Sequence, residues 1–529
     1  MNLLSIIDDL AETSAENRTA AVLDRVAFAF AILFVLAAPH SIAATQTAWL
    51  IGMTAWVARQ LVRPRPEFRV TAVGWALLAY FACSAVSAVF SYEPGVSIDK
   101  LRAVAVFLIF FYVMNVVRNN RAVHLLAFAL VGSCMISVAW TPVQKLIGRG
   151  VEVHGVDPNG PLALRGVKDG DTLLQVDGRR IRRPEDVVAA MDSKPSVKVG
   201  VYRTDSPFTI ELPGNTTRAS GTPQSFLGFS TWQRSSNFRA AGFYGHYTTF
   251  AEVLQLIGAL AFGLLVAGYM SGARRAFIVA LAVCVAGIAF ALLLTVTRGS
   301  QLSFIISSGV IVLLGASRKF LLLTVAVAIA LSLVGLYVLQ QHRQVGFFDQ
   351  SDGSIQYRQM MWRDGIRLWN ESPRHIAVGV GMDSIKTHWL EWGMYDKGHQ
   401  PMGHFHSTPV QLLVERGLPT LLAWLAVVGI FAYSIFLAFR RSAGGDWRTR
   451  GVLLGCLGGA VVGFFASGLV HYNLGDTEVA MVLYALMGLS IRLAIARPES
   501  ILAADSPILA GAGGSISSSL DSSDTRSRS

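Results

Sequence analysis

Twelve apolar runs, most of them near 20 residues long, recur along this chain of 529 residues. About 20 apolar residues is the length an α-helix needs to cross the hydrocarbon core of a bilayer. Runs of that length in lipid form helices, because every backbone N–H and C=O must find its partner inside the segment. They lie near 22–41, 45–61, 70–90, 101–117, 122–143, 247–269, 276–296, 300–315, 320–340, 418–438, 451–470 and 478–496. Only 15% of the residues are charged, against about 25% in an average soluble domain. The expected fold is a polytopic α-helical membrane protein of about 12 transmembrane helices.

The short loops orient it, since Lys and Arg collect on the cytoplasmic side. "RQLVRPRPEFR" (59–69), "VRNNR" (117–121), "GARR" (272–275), "SRK" (317–319) and "FRRSAGGDWRTR" (439–450) are basic and follow even-numbered crossings or precede odd ones consistently. The intervening loops "SYEPGVSIDK" and "HYNLGDTE" carry little or no positive charge. Both termini are therefore expected in the cytoplasm, with segments 144–246 and 341–417 outside. The net charge of +11 reflects this bias, and nothing in it points to nucleic acid.

The first residues, "MNLLSIIDDLAETSAENRTAAVLDR", contain acids and lack a basic stretch before an apolar core, so they read as a cytoplasmic amphipathic segment (1–21) and not as a cleaved signal. Cys83, Cys134, Cys284 and Cys456 all fall within predicted spans, so neither a disulfide nor a zinc site is expected. The tail, 499–529, is rich in Ser, Gly and Ala and reads as disordered and cytoplasmic.

Between spans 5 and 6 the character changes. "VEVHGV", "TLLQV", "VKVGVYR" and "FTIEL" alternate like strands, "PEDVVAAM" reads as a helix with Pro184 in its first turn, and "VDG" (176–178) marks a tight turn. The run "GPLALRGVKDGDTLLQVDGRRI" resembles a bacterial PDZ domain, which predicts a small α/β domain over 148–213, followed by a loop at 214–246. PDZ domains hold peptides by adding a strand to a sheet edge. The resemblance makes Gly148, Arg149 and Gly150 the carboxylate-binding turn and a peptide or protein its ligand; a folded spacer fits the same sequence.

The second outer segment, 341–417, holds the chemistry-bearing residues. Arg358, Trp362, Gly365 and Trp369 share one helix face, while Arg363 and Arg367 lie on another and read as solvated. "HFHSTPVQLLVERG" (404–417) then leads into spans 10–12, 418–496, the first of the two later span groups being 247–340. Thr408 is placed to cap a helix opening with Pro409, and Pro419 to kink it. Two imidazoles beside a positive helix end suit chemistry on an anionic, lipid-linked group.

These blocks resemble the O-antigen ligase / O-antigen polymerase superfamily, bacterial membrane glycosyltransferases that use undecaprenyl-diphosphate glycans. The family signature, His followed by Asn, Ser or Gln, nine residues and Gly-x-x-Gly, reads here as His406-Ser407, nine residues, then Gly417-Leu418-Pro419-Thr420, with Thr420 replacing the last glycine. "NFRAAGFYGHYTTFAEVL" (237–254) places Arg239, Gly242 and His246; "TVTRGSQLSF" (295–304) places Arg298; "VGVGMDS" (378–384) supplies a Gly-x-Gly turn.

The resemblance implies transfer of a glycan from the lipid diphosphate to an acceptor hydroxyl, lipid A-core or protein, on the periplasmic face of the inner membrane. Arginine keeps its charge at every working pH and bonds phosphate in a fork, so Arg239, Arg358 and Arg298, with His246, are the candidate diphosphate-binding residues. A neutral imidazole suits deprotonation of a hydroxyl; His406 is the candidate base, with His404 and Glu415 orienting it or the acceptor. Inversion at the anomeric carbon is expected, without metal or cofactor. Ligase, polymerase and protein O-oligosaccharyltransferase share these blocks. A lipid or polysaccharide transporter and a PDZ scaffold are alternatives of another class, disfavoured because the spans carry few charges while Arg and His crowd their outer ends.

Overall fold

A computed structural model describes residues 3–203, 206–214, 221–317, 353–400 and 402–496. Among these, nine helices are long and apolar enough to cross a membrane: Arg18–Ala37, Ala72–Val89, Asn120–Ile147, Tyr247–Met270, Arg275–Leu294, Arg298–Gly315, Thr408–Arg441, Trp447–Gly468 and Thr477–Ile495. The chain is a multipass helical membrane protein with one small antiparallel sheet inserted. The expected span at 320–340 lies outside the described residues. That at 45–61 is a helix, Ile42–Leu61, but Thr, Gln and Arg make it less apolar than the nine.

The expected span at 101–117 contains a 3-10 turn. Pro94–Val104 ends in a 3-10 turn at Ala105–Phe107, and a new helix runs over Leu108–Val116. The backbone stays right-handed helical through that turn, so Pro94–Val116 forms one helical path about 34 Å long. Every residue from Ile109 to Val116 is buried among other helices, as are most residues of Tyr247–Met270, so both pack in the interior of the bundle.

Where apolar side chains face lipid and protein alike, helices associate through close backbone approach at small residues. Gly451, Gly455 and Gly459 recur every four residues and face Tyr247–Met270. A Cβ on Gly455 would stand 2.7 Å from Leu260 Cα, and one on Gly459 2.6 Å from the Ala259 Cβ. The glycine-rich Leu457–Gly463 adopts a π-helical turn within the same helix. Gly455→Leu is expected to abolish folded protein in the membrane, because backbone atoms of Leu260 and Ala259 leave no room. Recovery in detergent as a monodisperse species checks this.

At one end of the bundle charges are locked together. Asp24, buried in Arg18–Ala37, accepts from Arg59 at 3.0 Å and from Arg118 at 2.6 Å. Pairing is what makes a buried carboxylate tolerable. The His and Arg residues of the candidate site gather at the other end.

The inserted domain contains β1 (Arg149–Val156), β2 (Thr172–Val176), β3 (Arg179–Arg180), a helix (Pro184–Ser193), β4 (Ser196–Arg203), β5 (Ser206–Pro213) and β6 (Phe229–Ser235). The sheet order is β5-β4-β2-β1-β6, with β3 paired to β2. Alternating residues of the strands (Val151, Val153, Leu173, Val197, Val199, Val201) and Val187, Val188 and Met191 of the helix form one core. Asp171 is held by Arg203 at 2.6 Å. The strand at 229–235 falls in the stretch expected to be loop: Phe229 and Ser235 are buried, but the polar residues between them mask the pattern.

Candidate functional site

The site begins where a helix breaks. Thr408–Arg441 is interrupted at Gly417, whose φ of 78° and ψ of 171° are not helical. Pro419 was the expected kink; it instead sits in the first turn after the break, where its missing N–H matters less. That missing N–H releases the Glu415 carbonyl, which accepts from Gly381 N–H at 2.8 Å and from the Ser87 hydroxyl at 3.2 Å. Val380 N–H reaches the Val414 carbonyl at 3.0 Å. The "VGVG" turn is thereby docked against the break. A Cβ on Gly379 would stand 2.4 Å from the Glu415 carbonyl, and one on Gly417 2.6 Å from the Ala377 carbonyl. Both positions also have positive φ, so glycine is required twice over. Thr420, where the family signature has glycine, donates to the Arg416 carbonyl at 2.9 Å.

Glu415 does not face the imidazoles. Its buried carboxylate accepts from Asp383 N–H at 3.0 Å, which braces the Gly-x-Gly turn. Thr408 is not the cap: Ser407 occupies that position without a side-chain bond. The Thr408 hydroxyl lies 2.8 Å from Asn473 Oδ1 and 3.2 Å from the His471 carbonyl. It ties this helix to the 471–473 turn, because Pro409 has already taken over the first helical turn.

The face shared by Trp362 and Gly365 seats the histidine segment. Trp362 Nε1 donates to the Phe405 carbonyl at 2.7 Å, and the Phe405 ring fills the space a Cβ on Gly365 would need, 2.6 Å away. Phe405 N–H donates to Gln411 Oε1 at 2.9 Å. Burying Phe405 turns its two neighbours outward together, and His406 adopts a left-handed φ of 46°. The rings of His404 and His406 are 4.1 Å apart, and that of His471 lies 5.8 and 6.3 Å from them. His406 Nδ1 is buried and has no hydrogen-bond partner among the described residues.

Arg358 acts electrostatically on all three imidazoles. Crowding by surrounding protein pushes His406 down to about 3, with His404, Arg358 and His471 adding to the effect. His404 keeps solvent contact, yet crowding and the positive charge of its neighbours push it down to about 4. Both are neutral at physiological pH. His471 differs: burial opposes its protonation, but the Glu252 carboxylate 3.0 Å from Nδ1 outweighs this and raises it. Asp476 is pushed up to about 6, mainly by burial, and accepts from Thr249 at 3.0 Å.

Arg239 stacks on the Tyr247 ring at 4.6 Å. His246, at the N-cap of Tyr247–Met270, is held low by burial, then by His471 and Arg239. Arg298 opens Arg298–Gly315, and a Cβ on the next residue, Gly299, would stand 3.1 Å from Val470, beside His471. Arg239, His246, Arg298, Arg358, His404 and His406 thus converge at one end of the bundle, while Arg363 is exposed and Arg367 caps the carbonyls of Trp392 and Gly393.

Sequence reasoning missed Glu252, Asp476 and Arg416, and left His471 without a role. A carboxylate in the second turn of an apolar run is a signal in itself, and it marks Glu252. Arg416, buried, is held by the hydroxyls of Tyr80 at 2.7 Å and Tyr472 at 3.1 Å. The ligand atoms of His404, His406 and His471 lie within 4.8 Å of one another, as do those of Glu252, His471 and Asp476. Arg358 acts on all three imidazoles with positive charge, which favours an anion over a dication at this end of the bundle.

A polytopic membrane protein with arginines and imidazoles gathered at one end, and a peptide-binding type of domain inserted beside them, is the class these features define. Residues 282–425 match the family model of the O-antigen ligase, and residues 152–203 match that of the PDZ domain. The chain therefore carries an O-antigen ligase domain and a PDZ domain, as both resemblances implied, and the first supports an enzyme of the O-antigen ligase type. Over 89 residues the chain is 41% identical to the magnetosome formation protease MamE of Magnetospirillum gryphiswaldense, covering 15% of this chain and 12% of that protein. The corresponding protein of Paramagnetospirillum magneticum is 50% identical over 80 residues, 13% of this chain and 11% of that one. The chain spans no more than 12% of either relative's length, a stretch the size of one small domain.

Proposed function

We propose that this protein transfers a glycan from undecaprenyl diphosphate to an acceptor hydroxyl at the periplasmic face of the inner membrane, with both termini in the cytoplasm. The observation that carries the reading is the convergence of Arg239, Arg298 and Arg358 with neutral His404 and His406. The arginines hold the diphosphate and stabilise the charge that grows on it as the bond from its oxygen to the anomeric carbon breaks. The acceptor oxygen forms its bond to the same carbon from the opposite face, which inverts it, and its proton passes to His406. Undecaprenyl diphosphate leaves.

A base pushed down to about 3 is weak on its own. A diphosphate bound at Arg358 supplies negative charge beside the imidazole and raises its basicity, so His406 gains strength when donor is bound. Glu415 acts as a positioning residue. Lipid A-core, the growing glycan and a protein hydroxyl are the three candidate acceptors. The test is transfer by purified protein in liposomes loaded with lipid-linked glycan, reading lipid-linked, lipid A-linked and protein-linked products separately. Disappearance of the donor with no product in any pool would sink the reading.

One observation favours a second base. His471 is the imidazole raised by a carboxylate, Glu252. If His471 accepts the proton, activity is lost as pH falls through its raised pKa. In Glu252→Gln burial prevails, the pKa drops, and the acid limb shifts to lower pH. With His406 as base the acid limb is expected to stay in place, so the pH profile of this variant separates the two.

A further inference from the structure

At the end of the bundle away from the imidazoles, the loop between Ile42–Leu61 and Ala72–Val89 is pinned along its length. Arg59, buried, donates to the carbonyls of Val62 at 2.9 Å and Pro64 at 2.7 Å. Asn17 donates to the Arg63 carbonyl at 2.9 Å. Asn115 brackets Arg69, accepting from its N–H at 2.8 Å and donating to its carbonyl at 3.3 Å. A basic loop that only orients a membrane protein needs charge and not a fixed shape, so the bracing calls for a second cause.

The pinned loop walls a cavity of about 240 Å³, lined by Arg69, by Arg118 and by Arg492 from the last turn of Thr477–Ile495. The carboxylates at this end do not match the arginines. Asp24 is shared between Arg59 and Arg118. Arg69 pairs with Glu67 at 2.6 Å, but both side chains are open to water, where such a pair is weak and readily exchanged. Arg492 is half-buried, donates to the Arg118 carbonyl, and makes no ion pair among the described residues. Glu12 and Glu67 attract it from a distance, while Arg69 repels it. Four arginines (Arg59, Arg69, Arg118, Arg492) thus face three carboxylates (Asp24, Glu12, Glu67), and one positive charge is left over. Guanidinium forks meet phosphate in two parallel bonds.

We propose that this cavity holds an anionic phosphate group, gripped by Arg69 and Arg492, at the end of the bundle opposite the imidazoles. Basic pockets between membrane helices take phosphorylated headgroups. Phe68, between Glu67 and Arg69 of the lining, is 52% exposed, which puts apolar surface beside the cavity for a lipid's chains. A lipid headgroup and a free phosphate present the same chemistry to the two forks. The bound anion ties the pinned loop to the last span, so it stabilises the folded chain by mass action.

The test is thermal unfolding of the purified full chain in mild detergent, titrated separately with phosphatidylglycerol, with phosphatidylcholine of the same acyl chains, and with inorganic phosphate. Phosphatidylglycerol is expected to raise the unfolding temperature; the zwitterionic lipid, whose choline meets the arginines with like charge, is not. In Arg69→Gln with Arg492→Gln the apparent affinity is expected to fall about tenfold or more, the cost of lost charge-assisted bonds. Arg440→Gln with Arg441→Gln removes two exposed charges from the far end of Thr408–Arg441 and is expected to leave it unchanged. Stabilisation by inorganic phosphate alone, lost in the cavity variant, assigns the site to a free phosphate; stabilisation by phosphatidylglycerol alone assigns it to a headgroup. Without a response to phosphate, equal stabilisation by the two lipids overturns the proposal, as do equal losses in the two double variants. Arg69 is exposed, so Arg69→Gln by itself keeps the test decisive if the cavity double variant does not fold.

Discussion

His406→Ala is expected to lower glycan transfer by roughly 10²- to 10⁴-fold, the range that a lost general base commands, while the amount of protein in the membrane stays unchanged. His406 is half-buried in a segment held by Trp362 and Gln411 through Phe405. Its ring makes no hydrogen bond at Nδ1 among the described residues, so trimming it releases no structural partner. Lipid-linked glycan should accumulate as product disappears. His406→Gln keeps the volume and loses the base, and is expected to be equally inactive. Transfer persisting within threefold of wild type in either variant would remove His406 from the mechanism and shift the role to His471.

Arg358→Lys is expected to cost about 10²- to 10³-fold in kcat, the magnitude seen when one preorganised donor to a developing anion is lost. Lysine keeps the charge but not the planar fork, so it tests geometry and not charge. Arg358 stands on the helix Gly353–Asn370, one turn before Trp362, whose indole fixes the histidine segment. The substitution therefore changes the proposed anion clamp without touching the bonds from Trp362 and Gln411 that seat the histidine segment. The same loss at Arg358→Lys and Arg358→Ala supports bidentate binding; a lysine variant as active as wild type would reduce Arg358 to a source of charge. Removing this cation also takes away one of the causes that hold His406 low.

Much of this arrangement is legible in the chain. Periodic apolar runs announce membrane helices because lipid offers the backbone no partner, and the alternating strands of the inserted domain declare themselves because water lies on one face. The spacing from His406 to Gly417 is legible too, and its physical basis is local: a helix must start just after the histidine and break at a glycine of positive φ. Reading fails where a residue's partner is distant. Glu415 sits two residues before that glycine, so sequence proximity suggests catalysis, yet its carboxylate turns to the backbone of Asp383. Burial among helices demands the same side chains as burial in lipid, so an apolar run such as 101–117 does not say which of the two surrounds it.

By itself the sequence determined the class of molecule, the inserted domain, and which arginines and histidines are candidates, since each rests on periodicity or short spacing along one segment. Only the tertiary structure decided which of them meet. Glu252 and His471 are separated by more than 200 positions in the chain and by 3.0 Å in space. β6 reaches β1 across the whole inserted domain, to fill an edge that its own polar sequence does not advertise. Pairings of this kind depend on helix packing through Gly451, Gly455 and Gly459 and on backbone hydrogen bonds, which accept nearly any side chain and so leave no pattern to read.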